Sequence, residues 1–154
     1  MRNLWSTLLI VLLGVAPGWA ALGQYASSID VDQRVLRCER REVARQNYTV
    51  HELTSPEGLV VREYVSPAGR VFGVTWQAPH MPDLQQVLGD QNMIELQQAL
   101  TSRTRCHSGA PLIVRTDKLV FASGGHLRSF HGYAYVPSLV PANFRVGVMH
   151  EIQM

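Results

Sequence analysis

At 154 residues, 46% hydrophobic and 17% charged, the chain is long enough for one domain with a core that folds alone. Its formal net charge is only +2, Lys118 is its single lysine, and no basic run is interleaved with aromatics, which argues against a nucleic-acid partner. No G-x-S-x-G nucleophile elbow, G-x-x-x-x-G-K phosphate loop or H-E-x-x-H metal helix occurs, and no cofactor is implied.

Residues 1–20 read as a secretory signal peptide. Arg2 supplies the positive start, Leu4 to Val15 the apolar run, and Ala16-Pro17-Gly18-Trp19-Ala20 a helix break with a small-x-small cleavage site. The apolar run is shorter than the roughly 20 residues that span a bilayer, so no permanent membrane anchor is expected after cleavage. No cysteine follows the cleavage region to take a lipid. Residues 21–154 then form a single exported domain, periplasmic or secreted, and the loss of Arg2 brings the net charge to +1. Cys38 and Cys106 are the only cysteines. In an oxidising compartment they are expected to make one disulfide, closing a loop of roughly 70 residues and contributing about 2–4 kcal/mol. His107 adjoins Cys106, but no C-x-x-C pattern gives a metal or nucleophilic role the companions it needs.

Ser28 to Gln46 has helical spacing: Val31, Val35 and Cys38 recur on one side, Ser28 can cap, and Asp30 and Asp32 suit the N-terminal end. Arg34, Arg37, Arg41 and Arg45 then gather on one flank, either to grip an acidic partner or phosphate-bearing lipid, or as a solvated face offset by Glu39 and Glu42. Asn47-Tyr48-Thr49 matches a glycosylation acceptor, relevant only in a eukaryotic secretory pathway.

From Tyr48 to Gln77 the pattern predicts three strands joined by the turns Ser55-Pro56-Glu57-Gly58 and Ser66-Pro67-Ala68-Gly69. Symmetric closure sets Leu59 against Thr54 and Trp76, Val61 against Val74, and Glu63 against Phe72. Leu59, Val61, Val65, Phe72, Val74 and Trp76 share the packed face in that register, with His51, Arg62, Tyr64 and Thr75 on the other. Glu52 and Glu63 fall on the apolar face. There they form either a carboxylate pair for acid/base chemistry or, after a bulge or one-residue slip, ion pairs with Arg62 or another arginine.

Pro79 to Pro82 ends the sheet. Asp83 with Gln86, then Asn92 with Glu95, give two capping patterns over apolar stripes, hence one kinked helix or two short ones covering the sheet. Leu112 to Val114, Leu119 to Ala122 and, after a Gly124-Gly125 turn, Leu127 to Val136 read as three further strands, with Phe144 to Ile152 a candidate edge strand. The expected fold class is therefore α+β: an antiparallel sheet of about six strands in two three-stranded groups, with helices packed on one face.

Ser123-Gly124-Gly125-His126-Leu127-Arg128 with Phe130, Gly132 and Ala134-Tyr135 carries a resemblance. So do Thr49-Val50-His51-Glu52, Val61-Arg62-Glu63-Tyr64-Val65, Val71-Phe72 with Val74 and Trp76, and Pro82-Asp83-Leu84. In this order, over nearly all of residues 21–154, they resemble the bacterial exported family described as domain of unknown function 2844. The resemblance implies export and brings no catalytic residues with it.

Two functional readings compete. In the first, the chain is a non-catalytic interaction or binding module whose partner is an envelope protein or a small ligand. In the second, Ser123, Gly124, Gly125, His126 and Arg128 form a polar, anion-binding pocket, and a small hydrolase or lyase uses His126 and Arg128 with Glu52 or Glu63 as base or orienting group. The alternative for that turn is a plain glycine hairpin whose His and Arg pair with strand neighbours. A metal site is not expected, because His126 and His131 lie five apart on a strand and point to opposite faces.

Overall fold

The computed structural model describes residues 22–35, 37–102 and 111–151. Residues 1–20, read above as a signal peptide, and Cys106 and His107 lie outside them. Among the described residues, β1 (Glu39–Ala44), β2 (Thr49–Thr54), β3 (Val60–Val65), β4 (Val71–Ala78), β5 (Leu112–Arg115), β6 (Val120–His126) and β7 (Ser129–Tyr135) form one antiparallel sheet. Its order is β1-β2-β3-β4-β7-β6-β5. The expected two groups of three are thus corrected to meanders of four and three strands, fused where β4 pairs with β7. Helices α1 (Ile29–Val35), α2 (Leu84–Leu88) and α3 (Asp90–Thr101) accompany the sheet, with α4 (Gly147–Glu151) near the C-terminus. None of these helices is long and apolar enough to cross a membrane.

The predicted helix over Ser28–Gln46 survives only as α1, and Glu39–Ala44 is a strand. Arg37 takes a positive φ of 49° between them, a conformation that ends a helix. Beyond it, the charged residues of β1 line an exposed sheet edge, where charge discourages pairing with other chains.

Both Ser-Pro-x-Gly turns form, but with the glycine at positive φ, +87° for Gly58 and +73° for Gly69. Ser55 O accepts from Gly58 N and Ser55 N donates to Leu59 O; Ser66 repeats both bonds with Gly69 and Arg70. Each glycine is thereby one residue of a bulge, and the symmetric register gives way to Leu53 opposite Val61 and Glu52 opposite Arg62. One step of slip exchanges the faces of β2: His51 turns inward and Glu52 outward.

A second bulge lies between Tyr64 and Val65 of β3 and the partner residues Gly73 and Val71 of β4, leaving Phe72 as the extra residue. Val71, Val74 and Trp76 therefore pack with Leu53, Val61 and Val65, under Ile29, Val87, Leu88 and Leu96 from α1 to α3. Phe72 instead joins Tyr64, Val120, Ala122, Tyr133 and Met149 on the opposite face. That second face is covered by the C-terminal segment, not by a strand as expected for Phe144–Ile152. Met149 is fully buried, and a Cβ on Gly73 would sit well under 3.0 Å from its methyl carbon. Across the sheet Gly132 has the same relation to Trp76, whose indole lies over the glycine. The Trp76 ring N–H is buried without a hydrogen-bond partner among the described residues.

Asp83 caps α2 as expected, accepting from Gln85 N at 2.9 Å and Gln86 N at 3.4 Å. Asn92 does not cap. It sits inside α3 and donates to Leu22 O and Leu88 O, tying helix to N-terminal segment. The α1–β1 junction is polar: Arg40 pairs with Asp30 and donates to His51 Nδ1 through Nε at 3.2 Å, with Nη2 at 3.0 Å from the same nitrogen. His51 is 5% exposed. Burial first, then the Arg40 guanidinium, hold its pKa below 6.5, while Glu42 and Asp30 pull the other way. The neutral ring thus accepts from Arg40, and a proton on Nδ1 would face a cation.

Two outcomes follow from this packing. Gly132→Ala should lower stability by about 1–3 kcal/mol in urea unfolding, and less than additively when combined with Trp76→Leu, because the smaller side chain removes the indole's share of the collision and leaves only that with the Ala122 carbonyl oxygen. Full additivity would show that the Trp76–Gly132 contact is not the cause. For His51, the folded ring refuses a proton that the unfolded ring accepts, so its contribution is complete above 6.5 and declines as pH falls below that value. His51→Gln should flatten this part of the stability profile; an unchanged slope would assign it to other groups.

Candidate functional site

The residues singled out in the sequence do not converge. Gly124 and Gly125 lie inside β6, opposite His131 and Phe130, so the turn is Leu127-Arg128 and the glycines belong to the ladder instead of forming a nest. Arg128 occupies the turn at φ 65° and is exposed, as is His126. Ser123 is buried on the face opposite His126, with its hydroxyl 3.4 Å from His131 O. β6 is three strands from β3 and four from β2 in the sheet order, or roughly 14 and 19 Å at ordinary strand spacing. Glu63 is buried on the helix-covered face, beside His51 in the register, whereas Glu52 lies on the other face. The Glu52 carboxylate accepts from Arg62 Nε at 2.6 Å, the ion pair expected of a one-residue slip.

His51, His80, His126 and His131 are dispersed over β2, the segment after β4, β6 and β7. Among the described residues no three His, Cys, Asp or Glu side chains form a group able to hold a metal. Cys38 is buried in the helix-side core immediately before β1, and its expected partner Cys106 lies outside the described residues.

What the fold does assemble is a cleft on the C-terminal face, built on β1 to β3. Arg41, Val43 and Arg45 alternate outward along the edge of the sheet; Val50 and Glu52 follow on β2, and Arg62 and Tyr64 on β3. The register makes rows across the strands. Arg41, Glu52 and Arg62 form one end, Val43, Val50 and Tyr64 the middle, and Arg45 with Tyr48 the other end, where Arg45 N donates to Tyr48 O at 2.8 Å. Val148 of α4 completes the wall, and the cleft holds about 430 Å³. An aromatic cluster stiffens the inner side: Tyr48 lies 6.0 Å from Tyr64 and 5.0 Å edge-on from Phe144, which in turn meets Phe72 at 4.8 Å.

Three arginines face one carboxylate here. Glu52 is committed to Arg62, and among the described residues Arg41 and Arg45 enter no ion pair. Burial raises the Tyr64 pKa, the effect outweighing the pull of Thr75 and Arg62, so its phenol stays neutral. Thr75 lies beside it, but the two hydroxyls do not meet in hydrogen-bonding geometry. Arg41 and Arg45 were visible in the sequence as a flank of a helix. The strand keeps them together, because residues four apart share a face in both periods. Tyr48 and Val148 carried no signal of their own; the alternation Arg41, Val43, Arg45 beside Val50, Glu52 was the pattern that marked the cleft.

No curated protein and no solved structure matches the chain. A family model described as "Protein of unknown function (DUF2844)" matches residues 18–149, which takes in all seven strands, the helices α1 to α3 and every residue that lines the cleft. The chain belongs to the DUF2844 family.

Proposed function

We propose that the protein is an exported, non-catalytic binding module that takes a small anionic ligand in the cleft of Arg41, Arg45, Arg62, Tyr48 and Tyr64. The carrying observation is the charge imbalance: Arg41 and Arg45 are unpaired among the described residues and flank a floor of Val43 and Val50. A carboxylate or phosphate gains charge-assisted hydrogen bonds from such guanidinium groups, and an apolar floor adds area and excludes water. A small ligand suits the cleft better than an envelope protein does. Its 430 Å³ falls within the range of about 300–1,000 Å³ usual for such ligands, with three valines set among its charged and tyrosine side chains.

Export rests on the pattern of residues 1–20 and on the place of Cys38 and Cys106 after it. The non-catalytic reading is supported by the scatter of Ser123, His126, Arg128, Glu52 and Glu63 over separate strands and both faces. A hydrolase or lyase would need its acid, base or nucleophile to converge on one substrate, and these side chains do not converge.

The test is thermal unfolding at low ionic strength with phosphate and with decanoate as probes. At least one should raise the melting temperature, the rise should shrink in salt, and an Arg41→Gln/Arg45→Gln double variant should lose it. An equal shift in the variant, or no shift with phosphate, with decanoate or with the dicarboxylates succinate and sebacate, would overturn the reading. For the disulfide, thiol titration of unfolded, unreduced protein should find none; two reactive thiols would refute the Cys38–Cys106 bond.

A further inference from the structure

Arg41 and Arg45, which enter no ion pair among the described residues, stand at opposite ends of the cleft's apolar middle. Arg41 lies on β1 and Arg45 directly follows its last residue, four positions on, which sets their Cα atoms at most roughly 13 Å apart at the strand rise of about 3.3 Å per residue. Between them lie Val43, its cross-strand neighbour Val50 and, one strand further, the Tyr64 ring. At the Arg41 end, Glu52 neutralises Arg62 and repels a second carboxylate, so one anionic group is accommodated there through Arg41. At the other end, Arg45 lies beside Tyr48, whose ring is held edge-on by Phe144. Neither end alone accounts for both unpaired guanidinium groups. Two groups of this spacing around an apolar strip are complementary to charge at both ends of a chain, not to a compact anion.

We infer that the ligand of this cleft is an elongated dianion: a linear molecule with an anionic group at each end and an apolar middle, of the class of medium-chain dicarboxylates. This rests on the anion-binding reading above and narrows it. One carboxylate is held by Arg41, the other by Arg45, and the methylene chain lies on Val43 and Val50 under Val148. A monoanion of equal length satisfies one arginine and leaves the other open. A short dianion cannot reach both ends of the strip.

The experiment is calorimetric titration of the purified chain with three probes at low salt: sebacate, decanoate and succinate. Sebacate is expected to bind about tenfold tighter than either of the others, the factor that one further charge-assisted contact supplies. Arg41→Gln and Arg45→Gln should each bring sebacate down to the level of decanoate. Both arginines are exposed, Arg41 on the edge strand and Arg45 just beyond its end, so unchanged melting temperatures of the unliganded variants will exclude a loss of fold. Decanoate binding as tightly as sebacate, or succinate doing so, overturns the dianion while leaving an anion cleft in place. Sebacate binding that survives both substitutions removes these arginines from the site. Failure of all three probes overturns the dianion, and with a negative phosphate result the anion-binding reading as well.

Discussion

The architecture depends on one ladder. β4 and β7 are separated in the chain by two helices and two strands, and their pairing converts a four-stranded and a three-stranded meander into a single sheet. Within the ladder Trp76 lies on Gly132, a contact that only a residue without a side chain permits. The large indole packs against bare backbone at the join of the two halves, and Phe121 of β6 lies tilted against the same ring at 5.6 Å. Since Ala134, Phe121 and Val114 continue the row begun by Val74, the helix-side core crosses the junction without a break. Non-local pairing of this kind closes late and slowly, after the local hairpins, because the long loop must be closed before its contacts form.

The strands and turns of Tyr48–Gln77 were legible in the sequence; their register was not. Ser-Pro-x-Gly announces a hairpin, but whether the glycine completes a symmetric loop or becomes a bulge depends on which face of the neighbouring strand can be buried. Gly58 chose the bulge, which set His51 inward against Arg40 and Glu52 outward against Arg62. The extra residue at Phe72 was invisible for a similar reason: only a partner such as Met149, distant in sequence, makes it favourable to turn that ring to the other face. The helix read over Ser28–Gln46 failed at Arg37. Val31, Val35 and Cys38 do fit a helical repeat, and nothing local says that the later arginines belong to a strand until β2 offers its edge.

The candidate site was half legible. Of the four arginines expected on one helix flank, Arg34 stays on α1 and Arg37 at the junction after it; only Arg41 and Arg45 share the cleft, since a spacing of four serves both helix and strand, and their neighbours come from β2, β3 and α4 and could be named only with the register known. Conversely, Ser123 to Arg128 looked richest in chemistry because its residues are adjacent in the chain. Adjacency misleads in a strand, where successive side chains part to opposite faces and a glycine pair can continue a ladder as readily as turn it.

The hollow at Gly73 has a reach beyond its own position. Met149 seats in it, and Met149 follows Val148, the residue that roofs the arginine cleft. The wall of the cleft thus has its neighbour seated on β4, at a position without a side chain. A lineage that filled this hollow would first push aside the Met149 methyl, the free end of a flexible side chain, and would bear on the turn of chain that carries Val148 without altering any residue that lines the cleft.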